Sequence, residues 1–185
     1  DSAGNTTDPG VISWETLGRI GSVDSAGRYI ATAPGVDAVS VSNQLAGIAD
    51  TTASLRVEEL YFTTIPLGNG TIHPGGDETA VAEFRIHNYL SAAKTITSVS
   101  VRDLSTGAGT ANDLAGNMTM SRIYIDRDND SVLSNADSLL AETAYTSGVM
   151  TFPIPPVVIP ADSGRTFIIA ATSALRARDG DTVDV

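Results

Sequence analysis

Cysteine is absent from the 185-residue chain, lysine occurs only once, as Lys94, and aromatic residues make up only 5%. A cytosolic protein often carries a few free thiols, so the absence of cysteine favours an exported protein that avoids mispaired disulfides. No apolar run approaches the roughly 20 residues that a helix needs to cross a bilayer. We therefore expect an extracellular or cell-surface location, with no membrane insertion in this segment.

Positive charge is also scarce. The chain carries 22 Asp and Glu residues against 11 Lys and Arg, which gives a formal net charge of -11 at pH 7. An acidic surface repels phosphate backbones and anionic lipid headgroups, so no nucleic-acid partner is expected. Hydrophobic residues nevertheless reach 42% and charged residues only 18%. This composition supports a packed core and excludes a disordered polyelectrolyte.

Motifs of common catalytic sites are missing. The sequence contains no G-x-S-x-G elbow, no H-E-x-x-H pair and no phosphate-binding glycine loop. His73 and His87 are the only histidines. The alternation of its segment places His87 on an outward face beside Glu83 and Arg85, which is typical of a surface histidine rather than a catalytic base. We expect no enzymatic activity.

Short runs of alternating apolar and polar residues recur along the chain, separated by turn residues, whereas helical periodicity is nearly absent. In one such run, Ile123 and Ile125 share a face and Tyr124 points the other way. β-Branched and aromatic residues in this pattern predict strands. The clearest runs are 37–42, 80–88, 95–102, 118–126 and 165–172. The pattern predicts an all-β fold of two consecutive antiparallel sandwiches.

A domain boundary is predicted near residues 56–60, where a glycine-rich segment gives way to a new series of strands. The join contains no flexible Gly/Ser linker, which favours two domains placed end to end with limited bending. The predicted domains are residues 1–58 and 59–185.

Turn and strand motifs follow one another in residues 1–58. They are D-S-A-G-N at 1–5, I-S-W at 12–14, V-D-S-A-G-R-Y at 23–29, P-G-V-D at 34–37 and T-T-A-S-L-R-V at 51–57. This order resembles the bacterial immunoglobulin-like domains found in tandem on surface proteins. Trp14 is expected to anchor the core, and Gly27 and Gly35 are expected to adopt positive φ. The two strands that open such a domain are missing, so the domain is expected to be incomplete or completed by a strand of another chain.

Residues 59–185 contain a second series of motifs. They are V-A-E-F-R-I-H-N at 81–88, I-Y-I-D-R-D-N-D at 123–130, I-P-A-D-S-G at 159–164 and G-D-T-V at 180–183. The series resembles a β-sandwich repeat module of large secreted bacterial proteins. A cluster of prolines leads into the third motif, at Pro153, Pro155, Pro156 and Pro160. Because proline cannot donate to a strand ladder, this run predicts an edge strand or a domain-surface segment. The alternative is a polyproline-like docking surface.

Residues 126–137, D-R-D-N-D-S-V-L-S-N-A-D, place aspartate at positions 1, 3, 5 and 12 of a twelve-residue segment. Hard oxygen ligands in this order suit Ca²⁺, and position 7 usually contributes a backbone carbonyl. Four carboxylates this close together would repel one another without a cation. The predicted ligands are Asp126, Asp128, Asp130, Val132 through its carbonyl, Ser134 and Asp137.

The segment resembles the calcium loop of EF-hands and, more closely, that of dockerins, which end in Asp. Position 6 is Ser131, where glycine is usual because the turn there is sharp. No helix pattern precedes Asp126, so we predict a calcium loop at the end of a strand. The alternative is a solvated acidic turn, because Asp and Asn also favour turns.

These features favour a non-enzymatic structural segment of a larger extracellular bacterial surface protein, such as a stalk, filament, sheath or adhesin spacer rigidified by Ca²⁺. Its expected partners are neighbouring domains or subunits of the same protein. One alternative is a carbohydrate- or ligand-binding module of a secreted enzyme that contacts cell-surface glycans, although few aromatic platforms are available for sugars. A second alternative is a self-assembling filament subunit completed by strand exchange.

Overall fold

The computed structural model describes residues 11–43, 45–67, 70–178 and 180–185, which are folded mostly into strands. The predicted all-β fold is confirmed: the described residues form fourteen strands in antiparallel sheets and one helix of five residues. The helix, α1 (Ala111–Ala115), is capped by Thr110 and Asp113. None of the described helices is long and apolar enough to cross a membrane. The motif predicted at 1–5 lies outside the described residues.

The chain divides into two compact units. The first contains the described residues up to Leu60 together with Tyr89–Ala93, and the second contains Tyr61–Asn88 and Lys94–Val185. The assignment of 1–58 and 59–185 to two domain families stays a prediction.

The first unit is built from short antiparallel strands. They are β1 (Ile12–Thr16), β2 (Gly21–Val23), β3 (Tyr29–Ala31), β4 (Gly35–Asp37), β5 (Val39–Asn43), β6 (Ile48–Thr51) and β7 (Leu55–Val57). They pair as a three-stranded sheet in the order β1-β5-β6 and as two two-stranded sheets, β2-β3 and β4-β7. The predicted run 37–42 is interrupted at Ala38, between β4 and β5.

The turn between β2 and β3 is held by a single aspartate. The side chain of Asp24 accepts the backbone N–H groups of Ala26 and Arg28, each over 2.9 Å. Gly27 takes φ of 82° and Gly35 takes φ of 146°, so the positive φ predicted at both glycines is confirmed. The ring of Trp14 packs on Gly27, since a Cβ placed there would lie 2.7 Å from it. Trp14 is only half-buried, so it covers this turn instead of filling an enclosed core.

A buried carboxylate, Asp37, forms the polar centre of the first unit. It accepts the N–H groups of Gly18 and Ala38 and the hydroxyl of Tyr29. Burial alone would raise the pKa of Asp37, but these hydrogen bonds outweigh it and hold the pKa below its usual value. The stability that this ionised group contributes is therefore present above the unfolded pKa and is lost as the pH falls through the lower folded value.

The second unit is formed by seven strands and α1. The strands are β8 (Tyr61–Ile65), β9 (Thr79–Asn88), β10 (Lys94–Arg102), β11 (Met118–Ile125), β12 (Ser138–Ala144), β13 (Val149–Ile159) and β14 (Ser163–Ser173). Five of them form a sheet in the order β12-β11-β14-β9-β8, and β10 pairs with β13. Strand β13 packs against β12 and β14, which gives a sandwich-like arrangement. The predicted runs 80–88, 95–102, 118–126 and 165–172 coincide with β9, β10, β11 and β14.

The proline run forms most of β13, and the predicted edge strand is confirmed. Strand β13 pairs on one side only, with β10, among the described strands. Phe152 and Ile154 face the core, whereas Pro153 and Pro155 are exposed. The prolines thus occupy the side of the strand that faces away from the core.

The outward face of β9 is covered at one point, contrary to the expected open surface. Glu83 is only 2% exposed, and neither carboxylate oxygen has a hydrogen-bond partner among the described residues. Its cross-strand neighbours are Ile65 and Ile168. His87 is partly buried, with Nε2 lying 3.8 Å from a carboxylate oxygen of Asp162.

Three phenylalanine rings stack across β8, β9 and β14. The ring centroids of Phe62 and Phe84 lie 6.1 Å apart, and those of Phe84 and Phe167 lie 5.4 Å apart. Phe167 is fully buried, whereas Phe62 on the edge strand is 60% exposed. The stack of three rings therefore runs from the buried core at Phe167 to the solvent-exposed edge of the sheet at Phe62.

Replacing a buried and an exposed phenylalanine by alanine should show how the contribution of each ring to the free energy of unfolding depends on its burial. We expect Phe167→Ala to lower the free energy of unfolding of the second unit by about 3–5 kcal/mol, because it leaves a cavity in a filled core. Phe62→Ala should cost less than about 1 kcal/mol because its ring remains largely hydrated. Urea unfolding followed by circular dichroism measures both. Equal losses would contradict the described burial.

The first unit can be tested through Trp14, the only tryptophan of the chain. We expect Gly27→Ala to destabilise it by more than about 1 kcal/mol, because a Cβ there combines positive φ with a clash against the indole. Gly47→Ala is the matched control: its φ is 64°, but nothing lies within 4 Å. Tryptophan fluorescence during urea unfolding measures the difference. An equal effect of the two variants would show that Trp14 does not pack on Gly27.

Candidate metal centre

The acidic segment is the connection of a strand hairpin. Ile125 at the end of β11 pairs with Ser138 at the start of β12, so residues 126–137 form the whole loop between them. Strand β11 is also paired with β14, and the N–H of Asp126 donates to the carbonyl of Thr166 over 3.0 Å. The first residue of the loop is therefore fixed to the central part of the sheet. This agrees with the prediction that a strand leads directly into the loop.

Three of the predicted ligands converge in space. One carboxylate oxygen from each of Asp126, Asp128 and Asp130 lies within 4.8 Å of the other two. Two oxygens on opposite sides of a Ca²⁺ ion are at most about 5 Å apart, because Ca–O distances are about 2.3–2.6 Å. Asp126 is 5% exposed, whereas Asp128 and Asp130 are exposed. The cluster could hold a metal ion, with one buried and two accessible carboxylates.

Backbone hydrogen bonds orient these carboxylates. Oδ1 of Asp126 accepts the N–H of Asn129 over 2.7 Å, and Oδ2 accepts the N–H of Ser131 over 3.3 Å. Oδ1 of Asp130 accepts the N–H of Val132 over 2.8 Å. A carboxylate oxygen has more than one lone-pair direction, so each of these oxygens can also face a cation. The hydrogen bonds thus orient the carboxylates of the loop, and the same oxygens keep lone pairs that can bind a cation.

The loop makes its sharp turn at the predicted position. Ser131, at position 6, takes φ of 63°, and Asn129, at position 4, takes φ of 56°. Asparagine tolerates this left-handed region better than serine does, and glycine adopts it without steric cost. Ser131 therefore holds the turn with some backbone strain.

Asp137 is not a member of the three-aspartate cluster, although it lies in the same loop. Asp137 accepts the N–H of Ser134 over 2.8 Å through Oδ2 and the N–H of Arg127 over 3.2 Å through Oδ1. It thereby ties the end of the loop to its start. The Oγ of Ser134 accepts the N–H of Ala136, and the side chain of Val132 is exposed. Cation binding by Val132, Ser134 and Asp137 stays a prediction.

The electrostatics of the loop favour a cation. No ion pair involves Asp126, Asp128 or Asp130 within the described part of the chain. Partial desolvation, followed by the charge of Asp130 and a hydrogen bond with Asp126, raises the pKa of Asp128. A divalent cation would oppose this shift because it stabilises the ionised carboxylate. The donor set and its uncompensated charge both fit a hard cation.

Beside the loop lies a cleft of about 420 Å³ that the sequence motifs did not reveal. Its walls include Asp126, Arg127 and Asn129 of the loop, residues 155–158 of β13, and Arg165 of β14. These residues are distant in sequence and carry no common motif. Only the pairing of the strands brings them together.

Comparisons with protein-family models, with curated proteins and with solved structures give no match. The resemblances to bacterial immunoglobulin-like domains and to a calcium-loop repeat module therefore stay predictions.

A glycine at position 6 of the loop should raise the stability of the folded protein. We expect Ser131→Gly to raise the free energy of unfolding by about 0.5–1 kcal/mol, because the relief of positive φ exceeds the added backbone entropy. Ser134→Gly is the control, since Ser134 is not among the positive-φ residues and its hydroxyl supports Ala136. That variant should lose stability. Thermal unfolding of both variants measures these changes in stability. A lower melting temperature of Ser131→Gly would contradict the positive φ described for Ser131.

Proposed function

We propose that this chain is a calcium-stabilised, non-enzymatic structural segment of a larger extracellular bacterial surface protein, such as a stalk, sheath, filament or adhesin spacer. The observation that carries the proposal is the convergence of Asp126, Asp128 and Asp130 on a loop that closes a strand hairpin. A cation bound there would join successive parts of one loop and shield their mutual repulsion.

Calcium is the proposed ion because of the donor chemistry. The cluster offers only carboxylate oxygens from its three aspartates, and neither histidine nor cysteine contributes to it. Such hard ligands suit Ca²⁺, which takes 6–8 oxygens and tolerates irregular geometry. Backbone carbonyls, water and the predicted residues Val132, Ser134 and Asp137 would complete the shell. Two exposed carboxylates are consistent with the weak affinity of extracellular calcium modules, about 10⁻⁴ to 10⁻³ M.

A structural role is favoured over a sensing role by the strands that flank the loop. Calcium sensors convert binding into the opening of a pair of helices. Here β11 and β12 flank the loop and are paired with each other along their length. An ion that binds only the folded loop stabilises the fold by about 1.4 kcal/mol when its free concentration is tenfold above Kd.

The wider biological setting is supported by the composition. A chain without cysteine and with a formal net charge of -11 suits an exported acidic protein, and the extracellular medium is rich in calcium. The alternatives of a carbohydrate-binding module and of a filament subunit completed by strand exchange remain open predictions. Neighbouring domains or subunits of the same protein are the proposed partners.

The calcium site is tested by unfolding with and without the ion. We expect Asp128→Asn to lower the melting temperature in Ca²⁺ by about 3–6 °C, which corresponds to the loss of about 1.4 kcal/mol. In EDTA the same variant should be as stable as the unmodified chain or slightly more stable, because one repelling charge is gone. Bound metal measured by mass spectrometry should fall from about one Ca²⁺ per chain toward none.

Asp77→Asn is the matched control, because Asp77 is an exposed aspartate of the same unit outside the loop. It should leave both the bound calcium and the calcium-dependent melting shift unchanged. An equal loss of stability for Asp128→Asn in calcium and in EDTA would contradict the proposal, and so would the absence of bound calcium in the unmodified chain.

A further inference from the structure

The cleft beside the metal loop has a charged side and an apolar side. The charged side consists of Arg127, Arg165 and the loop that carries Asp126. The apolar side is formed by residues 155–158 of β13, Pro-Pro-Val-Val, with Leu140 of β12. A ligand in this cleft would meet cationic and aliphatic groups at once.

Both arginines are available to an anion. Arg127 donates from Nε to the hydroxyl of Ser138 over 3.1 Å, and no carboxylate of the described residues forms an ion pair with it. Arg165 is exposed and forms no ion pair with any described residue. A guanidinium group offers five N–H donors in a planar arrangement that matches a carboxylate. Neither arginine forms an ion pair with a described residue, so both guanidinium groups can bind an external anion.

Cation binding would cancel the net charge at this place. The four aspartates of the loop, Asp137 included, and the two guanidinium groups leave two net negative charges without a metal ion. One divalent cation cancels both. An anion in the cleft is therefore repelled by the free loop, whereas the loaded loop no longer repels it and the two guanidinium groups can bind it, because these charges act over a few ångströms.

The apolar side of the cleft indicates which class of molecule bears the anionic group. No aromatic side chain is among the described residues that line the cleft, whereas sugar sites depend on aromatic platforms that stack on the rings. Proline and valine side chains instead offer contacts for aliphatic groups. Pro155 and Pro156 have no N–H to donate, so the exposed edge here cannot pair fully with an added strand. Recognition would depend on side chains.

We propose that this cleft is a calcium-dependent binding site for an acidic peptide segment of another polypeptide. A glutamate or aspartate carboxylate would bind Arg127 and Arg165, and a neighbouring aliphatic side chain would pack on residues 155–158. The inference rests on the proposed calcium site. It goes beyond that site by adding a partner and by making calcium the condition for its binding.

The probe is a fluorescein-labelled hexapeptide of alternating glutamate and valine, titrated with the full chain and followed by fluorescence anisotropy. We expect binding in Ca²⁺ to be at least about tenfold tighter than in EDTA. A peptide with glutamine in place of glutamate should lose most of this binding. By linkage, the glutamate peptide should tighten calcium binding, measured by calorimetry, by the same factor.

Arg165→Gln should weaken peptide binding about tenfold or more, since it removes a charged hydrogen bond. Arg102→Gln removes the same charge at an exposed position that pairs with Val149, at the other end of β13. It should change peptide binding by less than about twofold. Calorimetry with Ca²⁺ alone must show that both variants still bind the ion, and thermal unfolding must show that both are folded.

The possible negative results distinguish a failure of the peptide site from a failure of the calcium site. If calcium binds but the peptide does not, or binds equally in EDTA, this inference is wrong and the calcium site stands. If trigalacturonate, an acidic sugar, binds in a calcium-dependent manner and the peptide does not, the peptide assignment is overturned. If the unmodified chain binds no calcium, the proposed function fails and the present inference fails with it.

Discussion

The burial of strand β14 on both faces is the constraint on which the second unit depends. Residues 167–171 are five successive residues that are fully buried or nearly so, and the strand pairs with β9 on one side and β11 on the other. A strand covered in this way needs an unbroken apolar run, which F-I-I-A-A provides. Its ladder with β11 continues into the loop through the hydrogen bond between Asp126 and Thr166. The apolar centre of the sheet therefore fixes the position of its most acidic segment.

That connection explains how repelling carboxylates can be held together. Hydrogen bonds from Asn129, Ser131 and Val132 point Asp126 and Asp130 toward a common centre, while the paired strands prevent the loop from opening. The cost is a raised pKa at Asp128 and a positive φ at Ser131. Such unfavourable features often mark functional sites, where the surrounding fold tolerates them. A bound cation would offset the electrostatic part of this cost.

Much of the second unit was predictable from local pattern. The alternation in 118–126 predicts that Ile123 and Ile125 share a face, and the structure shows both of them buried. The proline run forms a strand that pairs on one side only among the described strands, as its missing N–H groups indicate. The first unit was harder to predict. Trp14 covers a turn instead of an enclosed core, and Asp37 is buried although nothing in its neighbourhood distinguishes it from exposed aspartates. Its partners Gly18 and Tyr29 belong to other segments, so no local pattern indicated them.

The amino-acid sequence by itself determined the main strands of the second unit, the shared face of Ile123 and Ile125 and the spacing of the acidic loop, because each depends on residues that are near one another along the chain. Only the tertiary structure decided which carboxylates converge, that Glu83 is buried on the supposedly open face of β9, and that Arg165 and the prolines of β13 line a cleft beside Asp126. These features join segments that are far apart in sequence. Their positions follow from the pairing of β11, β12 and β14 and from the packing of β13, which a local periodicity does not specify.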